Sequence, residues 1–110
     1  MTQGPFVKRG GGSQHNIFPG VDVFTVAGQE MMLSRAVIEP NAIVERHSHP
    51  HEQAGMVIRG SALFEVGEEQ QTLEEGDMYV IPGGVPHRVT ATDVGCEALD
   101  IFHPIREDYL

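Results

Sequence analysis

The chain has 110 residues, 16 of them acidic against 7 basic, for a formal net charge of −9. That length carries one domain with a genuine core and no second one, and the charge argues against nucleic acid or an anionic membrane as partner. A single cysteine, Cys96, excludes an internal disulfide, no apolar run approaches the ~18 residues of a membrane span, and none follows Lys8 and Arg9 as a signal peptide would require.

A cytoplasmic protein is therefore expected. Residues 1–13 hold Gly4, Gly10, Gly11 and Gly12 and read as an arm, flexible or exchanged with the second subunit of a homodimer, ahead of a folded unit over 14–110. Val21–Val26 and Met31–Ile38 read as strands parted by Ala27-Gly28-Gln29, and Glu39-Pro40-Asn41-Ala42 as a turn. Gln53–Arg59, Ala62–Val66, Gln70–Leu73, Met78–Ile81, His87–Ala91 and Glu97–Phe102 come next as strands, with Gly60, Gly67, Gly76 and Gly95 between them. No long segment spaces its apolar residues by three and four, so any helix is short. Short strands at roughly 8–12-residue intervals predict an all-β sandwich or barrel.

Chemistry concentrates in His47-Ser48-His49-Pro50-His51-Glu52-Gln53 and in the later Pro82-Gly83-Gly84-Val85-Pro86-His87. On extended backbone, imidazoles two residues apart point to one face of a sheet and can converge on one ion. Gln53 and His87 stand where they can complete a four-ligand site open to solvent or substrate. Imidazole suits zinc, copper, iron and nickel alike, so the residues indicate a divalent transition metal ion without naming the element. His51 is expected at the rim of this site, and His15 and His103 in structural or exposed positions. Cys96 reads as a buried small hydrophobe.

These residues resemble the two motifs of the cupins, small jelly-roll β-barrels. Asn41, His47, His49, Gln53 and Gly60 match the first, G-x5-H-x-H-x3,4-E-x6-G. Gly76, Pro82, Gly84, His87 and Ala91 match the second, G-x5-P-x-G-x2-H-x3-N. Asn41 replaces a glycine, which Asn can do because it tolerates positive φ. Ala91 replaces the last Asn. Gln53 replaces the ligand Glu, so three neutral imidazoles and a neutral amide leave a divalent ion its full charge, which favours an anion.

In Glu97–Phe102, alternation sets Leu99 and Ile101 against Asp100 and Phe102, and an inward Asp is expensive unless paired or functional. The ending Asp100-Ile101-Phe102-His103-Pro104-Ile105-Arg106, taken with the histidine segment, closely resembles the KdgF-type pectin-degradation cupins. That resemblance implies conversion of 4,5-unsaturated uronate monosaccharides to linear ketonised uronates. It implies metal ligation by His47, His49, Gln53 and His87, with nickel, zinc, manganese, iron and copper all open. It further implies turnover roles for Asp100, Phe102 and Arg106, a small anionic sugar as partner, and a homodimer. The competing expectations are an Asp100–Arg106 ion pair that merely closes the barrel, a metal-dependent dioxygenase, and a non-catalytic sugar-binding cupin.

Overall fold

In the computed structural model, which describes residues 4–110, the expected strands form an antiparallel sheet that folds over on itself. In chain order they are β1 (Ser13–Phe18), β2 (Val21–Ala27), β3 (Met32–Ile38), β4 (Ile43–His47), β5 (Glu52–Val66), β6 (Glu69–Glu74), β7 (Met78–Ile81) and β8 (His87–His103). A short 3-10 turn, Glu107–Tyr109, ends the chain. No helix among the described residues is long and apolar enough to cross a membrane. Residues 1–3 of the predicted arm lie outside the described residues, and the first strand begins at Ser13.

Gly60 and Gly95, expected to separate strands, instead bend them. β5 and β8 each run unbroken through their glycine and pair along their length, from Glu52↔His103 to Val66↔His87, with the register shifting around Gly60. Both glycines have φ near +80°, at 77° and 78°, a conformation that costs other residues energy. They also touch: a Cβ on Gly60 would overlap the carbonyl oxygen of Gly95. A glycine that bulges a strand and one that ends it carry the same local signature, which is why the bend reads as a break.

The bend makes one sheet into two layers. The first half of β5 and the last half of β8 join β7 and β3-β2-β1, while the other halves join β6 and β4. This is a jelly-roll barrel. Period-two alternation puts Val21, Val23 and Thr25 of β2 inside together with Met32, Ser34, Ala36 and Ile38 of β3. Val57, Ala62, Phe64, Val89 and Ala91 fill one end of the interior. Met32, Phe102 and Tyr109 pack at the other. The two strands not expected, β1 and β4, carry mixed polar and apolar residues with little alternation contrast.

Two sets of backbone contacts brace the second end. The C-terminal segment is tied across the barrel, because Thr25 Oγ1 donates to the Tyr109 carbonyl at 2.7 Å and the His15 ring bonds the same oxygen at 3.0 Å. The Pro82–Pro86 loop clamps the histidine segment: the Gly84 amide donates to the His49 carbonyl at 2.8 Å. Gly83 lies so close to the Pro50 carbonyl that a Cβ would overlap it.

Candidate metal centre and barrel cavity

His47 closes β4 and His87 opens β8, and the two are direct cross-strand partners. Their rings therefore share a face, with centroids 4.4 Å apart. His49 reaches them differently from the sequence expectation. The strand ends at His47 and the backbone bends through Pro50, so His49 is delivered by the clamped loop and not by strand alternation. Its ring lies 4.9 Å from that of His87 and 5.6 Å from that of His47. One ligand nitrogen from each of the three lies within 4.8 Å of the others.

Each imidazole is held the same way round. The Nδ1 atoms of His47, His49 and His87 bond the carbonyl oxygens of Glu45 at 2.8 Å, His51 at 3.1 Å and Val85 at 2.9 Å. A carbonyl only accepts, so each Nδ1 carries the hydrogen and each Nε2 keeps a free lone pair. That is the tautomer a metal requires, fixed by an outer hydrogen bond. His87 Nε2 is buried without a partner, a costly state unless something binds it.

Gln53, on β5, adds a second sign. Its amide hydrogen-bonds the Asp100 carboxylate, which can only accept, so the NH2 faces Asp100 and the oxygen faces the histidines. Oε1 then sits 3.2 Å from His49 Nε2, two acceptors with no hydrogen between them. A cation resolves that conflict. Burial, then the charges of Arg106, His87 and His47, lower His49 from 6.5 to about 4, against the bond to His51. Burial likewise lowers His87. Both are therefore neutral near pH 7, as ligands must be. The three histidines are positioned to bind a metal.

Below the histidines, one register row crosses five strands: Thr25, Ser34, Asp100, Gly55 and Tyr79. Asp100 is buried, and burial pushes its carboxyl above the ordinary range while hydrogen bonds from Tyr79 and Gln53 and the Arg106 charge pull it back. Ser34 Oγ, buried beside it, has no partner. Phe102 is buried with its ring 5.6 Å from that of His49. Arg106 is buried too, its guanidinium 4.0 Å from the Tyr109 ring centre and 5.1 Å from that of Phe102. The expected alternative of an Asp100–Arg106 surface pair does not hold: both are inside, and the carboxylate bonded to Arg106 is that of Asp108, at 2.9 Å. His47, Gln53, His87, Asp100, Phe102 and Arg106 all line one cavity.

The other histidines divide as expected in position. His51 packs at the rim with its ring 5.5 Å from that of His49. His15 stacks on Tyr109 and His103 is exposed. Cys96 is buried, its thiol raised to about 11 chiefly by burial. Ser34, Gly55 and Tyr79 are the residues of the site that sequence reasoning misses. Tyr79 sits in the uniformly apolar run Met78-Tyr79-Val80-Ile81, where nothing distinguishes the inward positions. Ser34 is the more legible, a small polar residue in phase with Met32 and Ala36.

The model of the cupin domain family matches residues 34–102. Over 70 residues the chain is 33% identical to the oxalate decarboxylase OxdC of Bacillus subtilis, covering 59% of this chain and 18% of that protein. Over 65 residues it is 31% identical to an acireductone dioxygenase of Schizosaccharomyces pombe, covering 54% of this chain and 36% of that one. The chain thus spans well under half the length of these two relatives. Among solved structures, KdgF from Halomonas sp. superposes with a TM-score of 0.87 at 27% identity, covering 98% of this chain and all of that one (100%).

Proposed function

The chain belongs to the cupin domain family, and from that premise we propose that it converts 4,5-unsaturated uronate monosaccharides, of the kind released by pectin or alginate lyases, into linear ketonised uronates. The observation that carries this reading is the presence of Asp100, Arg106 and Phe102 in the same cavity as His47, His87 and Gln53, with the His49 ring packed against that of Phe102. The likeness to KdgF from Halomonas sp. along nearly the whole chain supports it.

The substrate is a cyclic hemiacetal whose ring oxygen is also part of an enol ether. Losing the anomeric hydroxyl proton and breaking the bond between the anomeric carbon and the ring oxygen gives an aldehyde and an enol. Moving a proton from the enol oxygen to the neighbouring carbon gives the ketone. No atom is gained or lost overall, so the protein must only bind, orient and carry protons. Asp100 is the proton carrier, a role worth on the order of 10²–10⁴ in rate. Arg106 receives the substrate carboxylate with paired N–H donors, and Phe102 walls the sugar on its apolar side. His47, His49, His87 and the Gln53 oxygen would hold one divalent transition ion, which supplies Lewis-acid charge to substrate oxygens.

Incubation of the metal-loaded protein with unsaturated galacturonate tests the reading. Ultraviolet absorbance of the double bond should decay while the linear ketone appears by NMR; a spectrum unchanged by the protein would sink it. The likeness to an acireductone dioxygenase supports a second reading, metal-dependent oxygenation, and oxygen uptake in the same assay discriminates the two. Binding of the sugar with neither signal would leave a non-catalytic sugar-binding cupin.

The same proposal places the protein in the cytoplasm and makes it a homodimer. Leu33, Ile101, Ala54 and Val80 form one row across the outer face of β3-β8-β5-β7. Leu99, Met56 and Met78 lie in the next row. Leu33, Ile101, Val80, Met56 and Met78 are all exposed, and contiguous apolar surface of this kind marks association. Val7 of the N-terminal arm lines a groove with Leu33 and Leu99, so the arm flanks this face.

A further inference from the structure

Asp100 is gripped from one side. Tyr79 Oη donates to Asp100 Oδ1 at 2.5 Å. Between them in the register row stands Gly55, paired to Asp100 on β8 and to Tyr79 on β7. A Cβ at position 55 would lie 2.5 Å from Asp100 Oδ1 and 2.5 Å from both Cζ and Oη of Tyr79. Only a residue with no side chain lets the phenol cross to the carboxylate. φ at Gly55 is not in the left-handed region, so backbone conformation does not demand glycine there. The contact does.

The phenol is itself anchored, with its ring 4.5 Å from that of Phe64. On the opposite flank the cross-strand neighbour of Asp100 is Ser34, whose hydroxyl bonds nothing. Tyr79 thus takes one carboxylate oxygen at a fixed point. Gln53 contributes a further bond, but its amide oxygen is committed to the histidines.

We propose that Tyr79, seated over Gly55, is a positioning residue that sets the Asp100 carboxylate for proton transfer. The inference about turnover rests on the uronate reading; the inference about where the carboxylate sits does not. Holding a reacting group in geometry is worth far more than the bond that holds it, because small misplacements cost large factors in rate.

Tyr79→Phe removes the hydroxyl and keeps the ring, so the barrel and the metal content should survive. Turnover number with unsaturated galacturonate should fall on the order of tenfold or more with KM little changed. Gly55→Ala should reproduce that loss while leaving both the phenol and the carboxylate chemically intact. In an Asp100→Asn background, Tyr79→Phe should cost nothing further, a non-additivity that a merely structural tyrosine would not show. The carboxyl carbon-13 resonance of Asp100 should move in both single variants, a readout that needs no substrate. A resonance unmoved in Tyr79→Phe, or a wild-type turnover number in that variant, overturns the proposal. A moved resonance in a protein inert toward unsaturated uronate would support the positioning and sink the uronate reading instead.

Discussion

The Arg106 guanidinium is bonded to the Asp108 carboxylate, Nη2 to Oδ2 at 2.9 Å, with Arg106 inside the barrel mouth and Asp108 mostly in solvent. One partner is thus fixed between Tyr109 and Phe102 while the other is free to leave. An exposed carboxylate of that kind is the natural stand-in for a substrate carboxylate.

Arg106→Ala should therefore raise KM for unsaturated galacturonate on the order of ten- to a hundredfold, the loss of a charge-assisted pair. Arg106→Lys should rescue little, because a point charge lacks the planar fork. Full affinity in Arg106→Ala, measured by initial rates, would assign the carboxylate to another group.

Metal content is the second expectation. The purified protein should carry about one divalent transition ion per chain, and His49→Ala or His87→Ala should lose it on elemental analysis, because one ligand nitrogen of each of the three histidines lies within 4.8 Å of the others. Gln53→Glu should retain the ion, cancel one unit of its charge and weaken uronate binding. Full occupancy in both alanine variants would sink the histidine site.

Asp100→Asn should lower turnover on the order of 10² or more while leaving metal content intact. It keeps shape and polarity and removes the proton carrier. Near-normal conversion, tracked by loss of ultraviolet absorbance, would move proton transfer to another group.

Acid should weaken the metal-free protein through His49. An unfolded chain protonates this residue near 6.5, whereas the fold refuses the proton until about 4. Below 6.5 the unfolded state binds more protons, so this contribution to stability declines as pH falls from about 6.5 to about 4 and then levels off. Burial raises Asp100, whose linkage runs the opposite way. Urea melts in the Asp100→Asn background remove that opposing contribution and leave the effect of His49 together with that of His87, which burial lowers as well. Stability that stays flat across that window would refute it.

Ile101→Glu, in the middle of the exposed apolar row, should convert a dimer to a monomer by light scattering at micromolar concentration. A monomeric mass for the wild-type protein would dispose of the dimer.

The legible parts are those where adjacent residues carry the signal. Strands β2 and β3 come from local alternation, β6 and β7 from the turn residues that bound them, and the ligand trio from spacing in two short motifs. Positive φ at Asn41, 64°, is likewise what its place in the first motif predicts. What stays hidden depends on register between distant strands. Nothing near Tyr79 announces Asp100, and nothing near Ser34 announces either; only the β3-β8-β5-β7 pairing sets them in one row. His49 shows the same limit, since its approach depends on a loop held by Gly83 and Gly84 from elsewhere in the chain.

The unbroken β5–β8 ladder also favours one order of assembly. Its Val66–His87 end closes a loop of roughly twenty residues and its Glu52–His103 end one of roughly fifty, so loop entropy favours the near end by about 0.8 kcal/mol. Zipping from there brings His87 into place early and must pass the Gly60–Gly95 bend before Gly55 meets Asp100 and Gln53 meets Phe102. The row that grips the carboxylate is the far end of the zipper. A chain stalled at the bend would hold a half-built barrel with one ligand histidine on the ladder and no gripped acid.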